Sequence, residues 1–387
     1  MKISNVENKI ISFIQKHINI IFFISVIILS FFIRMFFISY QSGDYNSFLE
    51  PWFYQIIDNG GLMSLNQEIG NYNVIYTFFL TIFTYIPISP LLSIKLFSII
   101  FDYFLAIGCA FVVYDLFKHN KNRLVFVMLT FSVIIMLPTV ILNSSAWAQC
   151  DSIYTAFVIF CLYYLLKDRY TIAFVFFALA FCFKLQAVFF LPLLILLYIT
   201  KRKFSIINFL IIPACMVITS LPAIIAGRSI FNVLTIYLRQ TGTYANLTMN
   251  YASVWNLLPD DYNLFKVVGV LFTLVLLGGF MYFIISKGYD LKGVTLIGAG
   301  LWIVYACVLF LPSMHDRYAY MADILSILYF VFRRKKIIIP IGINFISLMS
   351  YFPFLFGLTV FDYKILTIAN LIIFGILTHD LLVKKKV

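Results

Sequence analysis

Residues 17–40 read HINIIFFISVIILSFFIRMFFISY, and the chain then turns abruptly to QSGDYNSFLEPW over 41–52. The first stretch is long enough to cross hydrocarbon as one helix, which takes about 20 apolar residues. Its one strong charge is Arg34, near the far end, and the polar edge that follows presents a carboxylate, Asp44, beside a glycine. Oil and short polar edges alternate in this way to the C-terminus. The 387 residues are 63% hydrophobic, 19% aromatic and only 11% charged. A soluble core of that size does not hide so much apolar surface. Period-2 alternation is absent, which argues against a barrel. The sequence predicts an all-α polytopic membrane protein, one unit over 1–387 without repeats, low-complexity tracts or a soluble domain.

Lys and Arg set the orientation. They cluster at Lys2/Lys9/Lys16, Lys118/Lys121/Arg123, Lys167/Arg169, Lys201/Arg202/Lys203, Lys287/Lys292, Arg333 to Lys336 and Lys384 to Lys386. Placing every cluster in the cytoplasm demands an even number of crossings between neighbours. Apolar runs at 17–40, 91–117, 123–142, 152–167, 170–183, 186–200, 204–226, 264–286, 293–312, 319–332, 337–357 and 364–383 meet that demand. They give about twelve helices in the cell membrane, with both termini cytoplasmic. Residues 73–88 are apolar enough to span, but counting them throws the Lys118 cluster outside. They are assigned to a re-entrant or interfacial helix within one long external loop, 41–90. A second large external segment covers 227–263.

The net charge of +12 is mostly this cytoplasmic collar, so no nucleic-acid partner is needed to explain it. The first run lacks a small-residue cleavage site and carries Arg34, which reads as a retained anchor. Six cysteines show no metal-like spacing, so neither a zinc site nor a disulfide framework is implied.

Three polar islands fall on the external side: Ser42 to Asn46, Trp147 to Asp151, and Met314 to Tyr318. Asp44 sits at a turn where a carboxylate can take a proton from an attacking hydroxyl. It can equally cap the surface helix that Phe48, Leu49, Trp52, Phe53 and Ile56 outline, with Pro51 in the first turn and Gly60-Gly61 as the stop. Asp151 opens a helix, and either caps it, steers an acceptor hydroxyl or shares a proton network with Asp44. Arg317 either snorkels or joins His315 and Lys184 in a phosphate clamp, since guanidinium matches phosphate oxygens in bidentate fashion. Asp316 would orient it. The 227–263 segment interleaves Tyr237, Tyr244, Tyr251 and Trp255 with Asn246 and Asn250, which suits sugar stacking and an interfacial aromatic belt alike. Lys95 and Asp102, seven residues apart on one helical face, are expected to pair, while Arg34 is open between snorkelling and phosphate contact.

In this order the motifs resemble those of GT-C glycosyltransferases, and within them the bacterial membrane proteins related to the GPI-anchor mannosyltransferase that adds the second mannose. The likeness rests on Ser42 to Trp52, Gly60-Gly61, Asn71-Tyr72-Asn73, Lys95 with Asp102, Asn143 to Asp151, Lys184-Leu185-Gln186, Asn250 to Trp255 and Met314 to Tyr318. The resemblance implies inverting transfer of a sugar from a polyprenyl (undecaprenyl) phosphate donor to a hydroxyl of an extracytoplasmic glycan, wall polysaccharide or teichoic acid. Asp44 would be the base and Asp151 a second catalytic carboxylate. His315, Arg317, Lys184 and Gln186 would hold the donor phosphate. Tyr45, Asn46, Trp147, Gln149, Asn250, Tyr251 and Trp255 would contact acceptor or sugar. No cofactor is expected, and carboxylates do not cluster beyond Asp44 and Asp151, which argues against a required divalent metal. One departure stands: no second acid directly follows Asp44. The rival reading is a transporter or flippase of lipid-linked saccharides, whose polar residues belong at mid-membrane rather than gathered at one face. A membrane scaffold is a third reading, and it leaves the external motifs without a purpose.

Overall fold

Backbone N–H and C=O groups in hydrocarbon find no water, so apolar runs of this length satisfy them internally as helices. The computed structural model describes residues 4–240 and 244–383, and it is helical almost throughout. Lys2 and Lys384 to Lys386 of the basic clusters lie outside the described residues. Among those described, six helices are long and apolar enough to cross a bilayer: Asn5–Phe36, Pro90–Leu116, Tyr262–Ser286, Gly293–Phe310, Ile338–Phe356 and Tyr363–Leu382. A bent pair, Arg123–Met136 with Pro138–Ala146, makes a seventh if it counts as one span. Large apolar side chains stand exposed along the first and third of these helices, Phe32 at 64% and Val275 at 73%. Lipid is the solvent that tolerates such faces. The protein is an all-α polytopic membrane protein.

Several expected elements differ. The 73–88 run yields a helix only over Val74–Phe83, about 15 Å at 1.5 Å per residue and too short to cross alone. The expected span 123–142 breaks by 51° at Pro138, whose ring removes an N–H and clashes with the preceding turn. The chain then passes through a π-turn, Leu142–Ala146. The 204–226 run breaks likewise at Ser220, before Pro222, between helices Ile211–Thr219 and Leu221–Ile225.

The pairing of Lys95 with Asp102 is also corrected. Side chains seven residues apart share a face but stand two turns, about 10.5 Å, from each other. Lys95 Nζ instead donates to the carbonyls of Phe37, Ile38 and Tyr40 (2.9 Å and 3.2 Å for the first two), capping the end of Asn5–Phe36 where a cation suits the helix dipole. Asp102 takes Arg34 at 3.0 Å, with both side chains fully buried. Arg34 also donates to the carbonyls of Ser30 and Ile135, so it neither snorkels nor faces a ligand.

The long segment 227–263 is tied down by a small piece of sheet. Strand β1 (Thr248–Met249) pairs in parallel with β2 (Met314–His315), and Asn250 bridges to His315. Backbone bonds from Ser313 to Leu247 (2.8 Å) and from Asp316 to Met249 (2.9 Å) complete the latch. This fixes the turn that carries Arg317 against the 247–250 segment.

Candidate active site

The turn after the first helix is set by Ser42, whose hydroxyl donates to the Trp147 carbonyl (2.7 Å) and accepts the Tyr45 N–H (3.2 Å). Asp44 already has helical dihedrals and its side chain caps nothing, which leaves the carboxylate free for other partners. Oδ2 accepts Trp147 Nε1–H at 2.8 Å and Gln149 Nε2–H at 2.7 Å. Phe354 stacks on the indole at 4.8 Å and Tyr351 meets it edge-on at 5.1 Å, so Trp147 cannot swing. The Gln149 amide has one permitted orientation. Its NH2 must face the carboxylate, which only accepts, and its Oε1 takes the Tyr72 hydroxyl at 3.0 Å. No bond to the other oxygen of Asp44, Oδ1, is found among the described residues.

The π-turn accounts for the second carboxylate. Its extra residue shifts the helical register, a feature often found at functional sites. Asn143 and Ser144 are thereby turned to different partners. Asn143 Nδ2 donates to Asp151 Oδ2 (2.8 Å), while Ser144 donates to Asp102 (2.6 Å). Asp151 Oδ1 takes Lys184 Nζ at 2.6 Å in a pair hidden from solvent. Like Asp44, Asp151 makes no capping bond.

Arg317 closes the constellation. Its guanidinium lies 3.4 Å from Asp44, 3.7 Å from Asp151 and 3.6 Å from Asp316, with Cζ 5.3 Å from the Trp147 ring. Its Nε is buried on the Asp151 side, and among the described residues no hydrogen bond is found from Nε or from either terminal nitrogen of the guanidinium. The charge is held, the donors are not fully used, and an anion would satisfy them. Burial opposes that charge, but Asp44, Tyr72, Asp316 and Asp151 outweigh it and raise the Arg317 pKa above its ordinary value.

Its neighbours behave differently. Burial, reinforced by Arg317 and Lys184, pushes His315 down to about 3, so it is a neutral imidazole at physiological pH and not the cation expected of a clamp. Tyr244 packs against it edge-on at 4.8 Å. Burial pushes Asp316 up to about 8, against the pull of Arg317, so at pH 7 its carboxyl is mostly protonated.

Asp44, Gln149, Lys184, Gln186, Asn250 and Arg317 line one cavity of about 670 Å³, together with His315 and Asp316. Such a volume suits a sugar-sized ligand. Apolar side chains, among them Trp52, Phe189 and Val270, line the rest of its wall. Other residues picked from the sequence lie off it. Asp151 is fully buried behind Lys184 and Arg317. Trp147 supports Asp44 from beneath. Tyr45 is buried with its hydroxyl on Glu50 (3.1 Å), and Asn46 is exposed away from the cavity.

Tyr251 and Trp255 do not line the cavity either. Tyr251 is fully buried beside Asn370, and Trp255 donates to the Leu311 carbonyl (3.0 Å) where only a glycine, Gly269, leaves it room. Aromatic content alone does not separate a sugar platform from a packed loop. The site also has members that the sequence reading did not assign a role: Tyr72, which orients Gln149, and Asn143, which holds Asp151. Asn71-Tyr72-Asn73 stands at the start of an apolar run just as the other islands stand at run ends, and that position was the available signal. No protein-family model matches the chain, and no curated protein matches it. The geometry stands alone: two cations and an unbonded carboxylate oxygen around one cavity, fit to hold an anion and accept a proton beside it.

Proposed function

We propose that this protein is an inverting glycosyltransferase of the GT-C type, moving a sugar from a polyprenyl-phosphate donor to a hydroxyl of an extracytoplasmic polymer. The observation that carries the reading is Asp44 and Arg317 sharing a cavity, with one carboxylate oxygen pinned by Trp147 and Gln149 and the other unbonded. The donor phosphate takes the unused N–H groups of Arg317 and the ammonium of Lys184. The sugar occupies the polar part of the cavity with its anomeric carbon toward Asp44. The acceptor hydroxyl attacks that carbon, the carbon–oxygen bond to phosphate breaks, and its electron pair leaves with the phosphate. Asp44 Oδ1 takes the hydroxyl proton. Negative charge grows on the departing phosphate, where fixed cations stabilise it most.

Asp151 is a positioning residue in this scheme, holding Lys184 at 2.6 Å and facing the Nε side of Arg317. The neutral His315 and protonated Asp316 offer hydrogen bonds without adding negative charge beside the phosphate. The basic clusters support a twelve-crossing arrangement with both termini cytoplasmic and this cavity on the outer face. A flippase needs no base, and the preparation of Asp44 as an acceptor favours the enzyme over it.

The test is to incubate purified protein with a panel of polyprenyl-phosphate sugars and an acceptor glycan. Release of polyprenyl phosphate in step with sugar incorporation supports the proposal. Donors that move between leaflets with the glycosidic bond intact contradict it.

A further inference from the structure

A second cavity lies about 20 Å away, at the other end of the Tyr320–Arg333 helix from the turn that carries Arg317. It is a groove of about 570 Å³, almost wholly apolar. Three helices build it with side chains one turn apart: Phe126 and Thr130 from Arg123–Met136, Ile327 and Val331 from Tyr320–Arg333, Pro340 and Asn344 from Ile338–Phe356. Its rim is exposed, with Leu129 at 43% and Ile341 at 56%, so the groove opens sideways toward lipid.

Two features distinguish it from an ordinary lipid-facing seam. Arg334 stands at one end, at the first residue past its helix, in a left-handed conformation (φ 51°). Its guanidinium lies over the Phe126 ring at 4.3 Å, and Nε makes a long bond to the Val331 carbonyl (3.4 Å). Among the described residues no carboxylate lies within 4.0 Å of it, whereas its neighbour Arg333 is committed to Asp380 at 3.3 Å. The second feature is Thr130, 2% exposed, whose hydroxyl has no hydrogen-bond partner among the described residues, and in the lining of the same groove Asn344, whose Oδ1 likewise has none. A helical Thr ordinarily returns its hydroxyl to the backbone. Here it lines the groove one turn, about 5.4 Å, deeper than Phe126.

A cation at the mouth, a donor one turn below and hydrocarbon walls beyond match the phosphate, ester carbonyl and acyl chain of a glycerophospholipid. We infer that this groove binds one anionic glycerophospholipid from the surrounding bilayer, in the leaflet opposite the Asp44 cavity. Basic pockets between helices are known recognition elements for anionic headgroups. The inference does not depend on the glycosyltransferase reading.

The test uses the full chain in neutral detergent, with phosphatidylglycerol or phosphatidylcholine of identical chains added. Retained lipid is counted by native mass spectrometry, and the melting temperature is followed alongside. The wild type is expected to keep one phosphatidylglycerol with a preference of about five-fold, the order expected for one arginine near a headgroup. Arg334→Gln abolishes the preference, while Lys335→Gln, a charge change outside the groove, leaves it. Leu129→Trp fills the groove without altering charge and removes retention of both lipids, which keeps the test open if Arg334→Gln folds poorly. Equal retention of the two lipids, or equal loss in Arg334→Gln and Lys335→Gln, overturns the inference.

Discussion

Replacing Asp44 with Asn exchanges one carboxylate oxygen for an NH2 group and leaves the volume unchanged. The structure decides which oxygen is lost. Trp147 Nε1–H and Gln149 Nε2–H both point at Oδ2 from 2.8 Å and 2.7 Å, so the amide must turn its oxygen toward them. Its NH2 then occupies the position of Oδ1 and meets the acceptor hydroxyl with a donor where an acceptor is needed. Loss of a positioned general base costs about 10²–10⁴ in rate. At about 1.36 kcal/mol per decade this is roughly 3–5 kcal/mol of barrier, and the reversed hydrogen bond points to the upper end. The fold loses the ion pair with Arg317 (3.4 Å), for which Asp151 and Asp316 remain within 4 Å, and little else, because both donors keep their partner and the Asp44 side chain is only partly buried. The assay is sugar incorporation from labelled polyprenyl-phosphate sugar in proteoliposomes, with donor affinity and melting temperature measured on the same preparations. Asp44→Asn should be folded, bind donor at least as well as wild type and transfer at under a hundredth of the rate. A folded variant that retains a tenth or more of wild-type transfer refutes Asp44 as the base.

Three further outcomes follow from the geometry. Arg317→Lys should preserve most of the melting temperature yet lose about 10²-fold in transfer, because an ammonium cannot match phosphate as a fork; Arg317→Gln should lose both, and activity retained in either contradicts the phosphate role. Asp102→Asn leaves Arg34 buried without its counter-charge and should destabilise the protein by about 3–5 kcal/mol, whereas the double variant Arg34→Met/Asp102→Leu should be milder; calorimetry in detergent that finds the double variant worse sinks the ion-pair account. Burial keeps the Asp316 proton up to about 8, while the unfolded chain loses it near 3.8. This contribution to stability is therefore full at low pH and declines as pH rises through that window. His315, held neutral down to about 3, acts oppositely, losing stability as pH falls below about 6.5. Melting curves against pH should lose the first slope in Asp316→Asn and the second in His315→Asn, and unchanged slopes contradict the burial argument.

The sequence exposed some of this directly because a charge at the end of an apolar run has few structural explanations. Asp44, Lys184 and Arg317 each interrupt such a run, and the structure brings all three to one cavity. Choosing between capping and other work for Asp44 needed the backbone: residues already helical at the cap position, and donors from a segment some hundred residues away, leave no trace in local pattern. Partner choice inside the membrane was the weakest point. Lys95 and Asp102 share a helical face, but each found its true partner on another part of the chain, at the end of the first helix and at Arg34. Pro138 lies inside a run that reads as one continuous span, 123–142, and the π-turn after it, which aims Asn143 and Ser144, has no sequence signature of its own. Tyr251 and Trp255 had the chemistry of a sugar platform, and the structure places both in a packed loop, buried and outside the cavity lining.

The central claim is that one ligand phosphate and one carboxylate base meet in the cavity between Asp44 and Arg317. A structure of the protein with a non-hydrolysable polyprenyl-phosphonate sugar tests it most directly. The account predicts the phosphonate within hydrogen-bond distance of Arg317 and Lys184, with the anomeric carbon facing the unbonded oxygen of Asp44. A headgroup seated elsewhere, or an anomeric carbon turned away from Asp44, would contradict it.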